Sequence, residues 1–297
     1  MIRRLRSSIS VVTLFCCGLI PIQSVAQKEA QKPALTKEQW REDLQYFARE
    51  LPKRHKNLFH TTSREQFERA VAKLDAAIPT LQDHQIIVGM KQIAASIGDG
   101  HTGVHIPPDF RLYPLGLYWF GRELRVTAAT REYQTAIGAR VVKIGGLDIN
   151  EVQRRVQSCF PTAENENEWY VMSTSPFFIV RPEVLQALAV VPDLGPASFT
   201  FEDEQDKQFA LDVTPVIPDP SLNSRMLRVT ASEPLFRQKP GETFWFTYLP
   251  DSQTVYVSFR GYKSLGENAR KLFQFVDSNP TRRLVVMGWI LSQSSDK

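Results

Sequence analysis

Residues 97–104 read Ile-Gly-Asp-Gly-His-Thr-Gly-Val and stand at the end of a long amphipathic helical pattern. Asp83 is a favourable N-cap for this helix, and apolar residues then recur every three or four positions. These residues are Ile86, Ile87, Met90, Ile93, Ala94 and Ile97. Gly98 follows where a helix often ends in the left-handed conformation, because glycine has no Cβ to strain there. The alternation over residues 102–106 predicts a strand, so we expect His101 at a helix–turn–strand junction.

Two further helical patterns precede this junction. Thr36 can cap the first helix, with Gln39 at the capping-box position three residues on, and Pro52 is expected to end it. Ser63 is expected to open the second helix, which should close at Ile78-Pro79. The N-terminal part of the chain is therefore predicted to be helical.

The sequence beyond the junction changes to short alternating patterns that are typical of strands. Strands are predicted at 115–120, 123–128, 139–144, 199–201 and 209–213, with a short helix capped by Asn150 and reaching Val156. The last section gives a strand at 254–259, a helix at 266–277 and a strand at 284–286, which is typical of a parallel crossover unit. By itself such a unit exposes an edge and apolar surface. The predicted fold class is α+β.

Four segments are predicted along the chain. They are a signal peptide at 1–26, a helical region at 27–112, a β-rich domain at 113–220 and the start of an α/β unit at 240–297. The leader has three arginines among its first six residues and an apolar run over 9–20, too short to cross a bilayer core of ~30 Å. We expect cleavage after Ala26 and a periplasmic or secreted protein, with an uncleaved membrane anchor as the alternative. After cleavage no membrane partner is expected.

The charge and cysteine content of the chain bear on its partners and on its chemistry. The formal net charge is +4, and without the three arginines of the leader about +1 is left. Such a balance gives no reason to expect nucleic acid as a partner, since that would call for a clustered basic face. Beyond the leader the chain has one cysteine, Cys159, which cannot form an internal disulfide. We interpret it as structural rather than nucleophilic, and the oligomeric state is left open.

His101 is the strongest candidate for chemistry. A histidine on a tight turn is held firmly enough to act as a general base, although many turn histidines have no such role. Asp99, His101 and His105 could also suggest a metal site, but no fourth ligand is evident and no cofactor is expected. His55 and His60 are expected to be solvated in a basic loop.

The run at 97–104, following an amphipathic helix, resembles the aspartate-(any)-histidine-threonine motif of the tail-specific (C-terminal-processing) serine peptidases, in their tricorn-like and chlamydial-protease-like group. Residues 120–126 resemble the hairpin after the motif, and 138–146 resemble a strand and turn of the PDZ-like domain. Residues 255–257 and 283–286 are similar to the first strands of the crotonase/Clp-protease-like catalytic core. The resemblance implies that His101 is the general base for a serine nucleophile and that proteins or peptides are the substrates.

The sequence departs from the family after the strand at 284–286. Family members usually continue with aspartate-leucine-arginine, an asparagine and a glycine pair, whereas residues 287–297 read Met-Gly-Trp-Ile-Leu-Ser-Gln-Ser-Ser-Asp-Lys. The serine nucleophile and its lysine or glutamate partner should lie well downstream of that point. Ser292, Ser294 and Ser295 have neither a base nor an oxyanion site beside them in sequence, so we do not expect them to be nucleophiles.

Three interpretations follow. The chain is the front part of a working exported peptidase and is inactive by itself because the nucleophile is missing. Alternatively, it is a non-catalytic periplasmic peptide-binding protein in which the helical and PDZ-like parts act alone. The third interpretation is a fragment without function.

Overall fold

A computed structural model describes residues 35–161, 168–228 and 234–288. They form an α+β fold with N-terminal helices followed by largely antiparallel sheets, as the sequence predicts. The predicted signal peptide at 1–26, with its cleavage point at Ala26, lies outside the described residues. Within the described residues, no helix combines the length and the apolar character needed to cross a membrane.

Three helices form the N-terminal region: α1 (Lys37–Arg54), α2 (Arg64–Ala77) and α3 (Asp83–Ala95). Thr36 and Ser63 cap α1 and α2 through capping boxes, which satisfy backbone amides that a helix start leaves unpaired. The apolar faces of the three helices meet in one core. Its buried residues are Trp40, Leu44, Phe67, Val71, Leu74, Ile78, Ile86 and Ile93.

Two boundary predictions in this region are wrong. The helix α1 passes through Pro52 and ends at Arg54, because a proline in the last turn removes only one helical hydrogen bond there. The N-cap of α3 is Gln82, whose amide donates to Gln85 Oε1 at 2.8 Å, and Asp83 is the first helical residue. The Asp83 carboxylate instead accepts a hydrogen bond from Trp40 Nε1 at 2.9 Å.

A larger sheet follows, with the strand order β1-β2-β3-β5-β6 and every pair antiparallel. Two short strands extend it, β4 beside β3 and β7 beside β2. The strands are β1 (Leu115–Phe120), β2 (Glu123–Thr130), β3 (Arg140–Ile144), β4 (Leu147–Asp148), β5 (Ala197–Glu202), β6 (Gln208–Val213) and β7 (Met226–Arg228). Each strand predicted between residues 115 and 213 is present, and β2 and β5 extend beyond their predicted bounds.

Between β4 and β7 the described chain has four helices, and the first three contribute buried residues to the core of this sheet. They are α4 (Ile149–Gln157), α5 (Glu168–Ile179), α6 (Pro182–Ala187) and α7 (Leu222–Arg225). Asp148, not Asn150, caps α4, because the Asp148 carboxylate accepts the Asn150 amide at 2.8 Å. Helices α5 and α6 are not among the elements that the sequence patterns predict.

Helix α3 is shared between the two cores. Ile86 and Ile93 pack among the N-terminal helices, whereas Val88 belongs to the core under the larger sheet. His84 on α3 hydrogen-bonds Gln186 on α6 at 2.7 Å. Helix α3 is therefore held from two sides, and the turn at residues 98–102 follows its C-terminal end.

A smaller sheet ends the described chain. It has the order β10-β9-β8, with β8 (Phe244–Leu249) antiparallel to β9 (Thr254–Phe259), and β10 (Arg283–Gly288) parallel to β9. Helix α8 (Leu265–Asp277) connects the two parallel strands, so the predicted crossover unit is present. Val255 and Val257 pack against Leu272 of α8. The edge strand β10 is exposed throughout, including Leu284 at 48 % and Val286 at 56 %.

We expect the exposed β10 edge to drive self-association of the purified protein, because an apolar edge strand is open to pairing with another chain. Val286→Lys should reduce self-association, measured by light scattering across a concentration series. Ala210→Lys places the same charge at an exposed position of the edge strand β6 and should change little. A wild-type protein that stays monodisperse at high concentration would contradict this expectation.

Gly145 gives a test of the larger sheet. It has φ +59°, its amide donates to Ser198 O at 2.9 Å, and an added Cβ would lie 2.3 Å from Val190 O. We expect Gly145→Ala to lower the free energy of unfolding by about 3 kcal/mol or more. An alanine is strained at this positive φ, and the backbone at Val190 would also have to move away from the new Cβ. Gly121 has φ +60° with open space around it, so Gly121→Ala should cost only about 1 kcal/mol. Urea unfolding of both variants measures the difference, and equal losses would argue against the close contact with Val190.

Candidate active site

The candidate site is built on the turn that follows α3. Gly98 has φ +80°, which confirms the left-handed conformation predicted for it. The next residue, Asp99, folds its carboxylate back over the turn. Its Oδ1 accepts the His101 amide at 3.0 Å, and its Oδ2 accepts the Thr102 hydroxyl at 2.7 Å. The aspartate and the threonine of the motif are therefore joined by a hydrogen bond.

A second histidine, His55, reaches the same carboxylate. His55 Nε2 lies 3.0 Å from Asp99 Oδ2, and the Asn57 amide donates to His55 Nδ1 at 3.1 Å. Because Nδ1 accepts a hydrogen bond, the proton of the neutral His55 ring is on Nε2. The Nε2–H group therefore donates a hydrogen bond to Asp99. His55 is the C-cap residue of α1, so this contact ties the end of α1 to the turn.

The expectation that His55 is solvated is therefore wrong, since its side chain is only 15 % exposed. His60 is exposed, and its ring lies parallel to that of His55 with centroids 6.1 Å apart. Nothing in the local sequence marks His55, which is 44 positions from its partner Asp99.

Asp99 is anionic at neutral pH. The hydrogen bonds from the Thr102 hydroxyl and the His101 amide hold the pKa of Asp99 well below its usual range, and His55 adds to the effect. The turn therefore holds a negative charge next to the backbone of His101.

His101 itself is almost fully exposed, at 96 % of its side chain. Its Nδ1 lies 3.6 Å from Asp99 Oδ1, beyond hydrogen-bond distance. Among the residues that the structure describes, none hydrogen-bonds the His101 ring. The role of His101 as a general base stays a prediction.

The run that follows is not a strand. Residues 102–106 have alternating burial, as the sequence predicts, but no strand in the described chain pairs with them. The prediction of a strand is wrong in that respect, because alternation reports burial and not the presence of a neighbouring strand. His101 therefore lies between a rigid turn and an unpaired segment.

A cleft of about 420 Å³ opens beside this segment, with His101 and His105 in its lining. Lys91 of α3 also lines it, together with the aromatic rings of Phe160 and Phe178. Lys91 Nζ donates to Val104 O at 3.0 Å and lies 5.2 Å from the Phe178 ring centre. Burial lowers the pKa of Lys91. The lining formed by described residues contains no carboxylate.

Cys159 also lines the cleft but is buried, and burial raises the pKa of its thiol to about 11. A protonated thiol is a weak nucleophile, which favours the structural interpretation of this cysteine. Asp99, His101 and His105 are not assembled into a metal-binding group, and none is found in the part of the chain that the structure describes.

No protein-family model and no curated protein sequence matches the chain. The α+β fold is similar to that of the chlamydial serine protease CPAF in its solved structures. A serine-to-alanine mutant of CPAF aligns with a TM-score of 0.54 at 9 % identity, over 84 % of this chain and 56 % of that one. Mature CPAF complexed with lactacystin aligns with a TM-score of 0.49 at 10 % identity, over 86 % and 57 %. The chain thus spans a little over half the length of these proteins.

The Asp99 hydrogen bonds can be tested by substitution. Asp99→Asn should lower the free energy of unfolding by about 1–3 kcal/mol at pH 7, because three donors lose a charged acceptor. The folded-state pKa of Asp99 is depressed, so its stabilisation is present above the unfolded pKa of about 4 and is lost as the pH falls below it.

The gap in stability between wild type and Asp99→Asn should therefore shrink between about pH 5 and pH 2, as measured by urea unfolding. Asp109→Asn is the matched control, since Asp109 is exposed and its side chain has no hydrogen bond among the described residues. A gap that does not depend on pH would contradict the assignment.

Proposed function

We propose that this chain carries the base-bearing part of a serine-peptidase site that acts on proteins or peptides. The observation that supports the proposal best is the Asp99 turn, which places an exposed His101 ring, hydrogen-bonded by no described residue, in the lining of a cleft. The fold similarity to CPAF supports the same class of chemistry.

The geometry fits the chemistry of a general base. The anionic Asp99 favours a proton on Nδ1 of His101, which leaves Nε2 to accept a proton from a nucleophile. The same negative charge stabilises the imidazolium ion that forms when the proton is accepted. A serine hydroxyl would need to come within about 2.6–3.2 Å of Nε2 for the transfer.

We propose further that a polypeptide of this sequence does not hydrolyse peptides by itself. No hydroxyl of the described residues hydrogen-bonds His101, and Ser292, Ser294 and Ser295 lie outside that part of the chain. Removal of one member of a catalytic triad typically lowers the rate by several powers of ten.

The remaining parts of the proposal rest on sequence. The leader at 1–26 supports export to the periplasm or beyond, with no attachment to the membrane after cleavage. The β-rich segment at 113–220 is proposed to be a PDZ-like domain, and the segment at 240–297 the start of a crotonase/Clp-protease-like core.

A second function is non-catalytic peptide binding outside the cytoplasm. The cleft of about 420 Å³ and the unpaired segment at 103–106 favour it, since neither needs a nucleophile to hold a peptide. The two functions differ in whether bound peptide is cleaved.

The purified protein should release no peptides from a fluorescein-labelled unfolded protein, and His101→Ala and His105→Ala should match wild type. Fluorescence polarisation measures the release. Turnover that is lost in His101→Ala and kept in His105→Ala would contradict the proposed inactivity, while identifying His101 as the base.

The role of His101 as a general base has to be tested in a catalytically active form of the protein. If the reading frame past Val286 encodes a glycine pair and a later serine, the chain extended through that frame should hydrolyse the same substrate. His101→Ala should then lower kcat/KM by about a thousandfold or more, whereas the neighbouring His105→Ala should have a small effect. An active extended chain that tolerates His101→Ala would overturn the assignment.

A further inference from the structure

The contacts of His55 go beyond those of a residue that only ends a helix. Its backbone amide donates to Leu51 O at 3.0 Å, which closes the last turn of α1, and its ring reaches away from the helix to Asp99. The other two described donors to Asp99 are the His101 amide and the Thr102 hydroxyl, which belong to the turn itself. Among the described donors, His55 alone therefore fixes the Asp99 carboxylate relative to the helical region.

The ring of His55 is itself held as a donor. The Asn57 amide donates to Nδ1 of His55 at 3.1 Å, which leaves the ring proton on Nε2. The carbonyl of the same Asn57 accepts a hydrogen bond from Nδ1 of His60 at 2.8 Å, and the two imidazole rings lie parallel to each other. These contacts fix both the position and the tautomer of the His55 ring.

The three hydrogen bonds are divided unequally between the two carboxylate oxygens of Asp99. Oδ2 accepts from His55 and from the Thr102 hydroxyl, whereas the His101 amide is the described donor to Oδ1. An ionised carboxylate offers about four lone-pair positions, two on each oxygen. Both positions on Oδ2 are therefore used, and one position is left on Oδ1, the oxygen that lies 3.6 Å from Nδ1 of His101.

The orientation of this carboxylate bears on the tautomer of His101. The terminal torsion of an aspartate is broad, so the plane of the carboxylate is set by its hydrogen bonds. The acceptor that an imidazole nitrogen meets decides in turn which nitrogen of the neutral ring carries the proton. The anionic Asp99 has Oδ1 toward Nδ1 of His101, which favours the Nδ1–H form. A general base needs this form, because its Nε2 must be free to accept a proton.

We propose that His55 is a positioning residue of the candidate site: its Nε2–H bond to Asp99 Oδ2 keeps Oδ1 directed at His101 and the proton of neutral His101 on Nδ1. No proton moves to or from His55 in this role. The proposal rests on the proposed function in taking His101 as the base, and it adds a residue from the end of α1 to the site.

The ring nitrogen shifts of the purified protein, with ¹⁵N-labelled histidines, report the tautomers directly. Long-range ¹H–¹⁵N spectra are recorded at about pH 8.5, above the usual imidazole pKa of about 6.5. The signals of the two rings are assigned by their loss in His55→Asn and in His101→Ala. Wild type should show His55 protonated on Nε2 and His101 protonated mainly on Nδ1.

Two variants of His55 that differ by one methylene separate positioning from packing. His55→Asn can still accept the Asn57 amide but is too short to reach Asp99. It should lower the ratio of the Nδ1–H to the Nε2–H form of His101 by about threefold or more, the effect of one modest hydrogen bond. His55→Gln is long enough to donate to Asp99 and should keep the ratio near that of wild type.

His60→Leu is the matched control. It removes the ring that lies parallel to His55 and leaves the donor to Asp99 in place, so the His101 ratio should not change. If His55→Asn fails to fold in a thermal unfolding check, His55→Leu removes the same donor while keeping a bulky side chain. The tautomer of His55 in wild type is a further measurement that needs no variant.

Three results would overturn the proposal. They are an unchanged His101 ratio when the donor of His55 is removed, an equal fall of that ratio in His55→Gln or His60→Leu, and a wild-type His55 ring protonated on Nδ1. None of these measurements needs turnover. A failure here is therefore separate from a failure of the His101 assays, which measure cleavage.

Discussion

The Asp99 carboxylate is the constraint on which the candidate site depends. Its hydrogen-bond donors come from three places: His55 at the end of α1, the His101 amide within the turn, and the Thr102 hydroxyl beyond it. The charged carboxylate can hold these three groups together because charge-assisted hydrogen bonds are stronger than neutral ones. The turn is thereby fixed against the N-terminal helices, and the backbone of His101 is fixed with it.

Helix α3 connects this turn to the two hydrophobic cores in which the helix packs. It contributes Ile86 and Ile93 to the helical core and Val88 to the core under the larger sheet, so it cannot rotate without disturbing both. Lys91 extends from the same helix to the carbonyl of Val104 and to the ring of Phe178 on α5. The described lining of the cleft therefore lies on elements that packing holds in place.

Local signals in the sequence predicted much of the fold. The capping boxes at Thr36 and Ser63, the left-handed Gly98 and the hairpin between β1 and β2 all depend on residues close in sequence, and all are present. Helix α5 was missed because its polar and apolar residues do not separate onto opposite faces, so it has no helical period to detect.

The candidate site was only partly predictable for a related reason. His101 stands in a recognisable motif, but the bond between His55 and Asp99 joins residues 44 positions apart and depends on how α1 packs. The segment at 102–106 has the burial pattern expected of a strand but pairs with no described strand, and periodicity within one segment cannot report pairing.

The exposure of His101 is consistent with a base that is completed by its ligand. Its ring makes no described hydrogen bond, so rotation about the side-chain torsions can shorten the 3.6 Å separation from Asp99 without breaking other contacts. The three bonds that Asp99 already makes keep the carboxylate still while the ring moves. A peptide that fills the cleft would also displace water around the ring, and the interaction between imidazolium and carboxylate strengthens as the surroundings become less polar. Catalytic hydrogen bonds in unliganded enzymes are often long and tighten on binding, which is the behaviour that this arrangement permits.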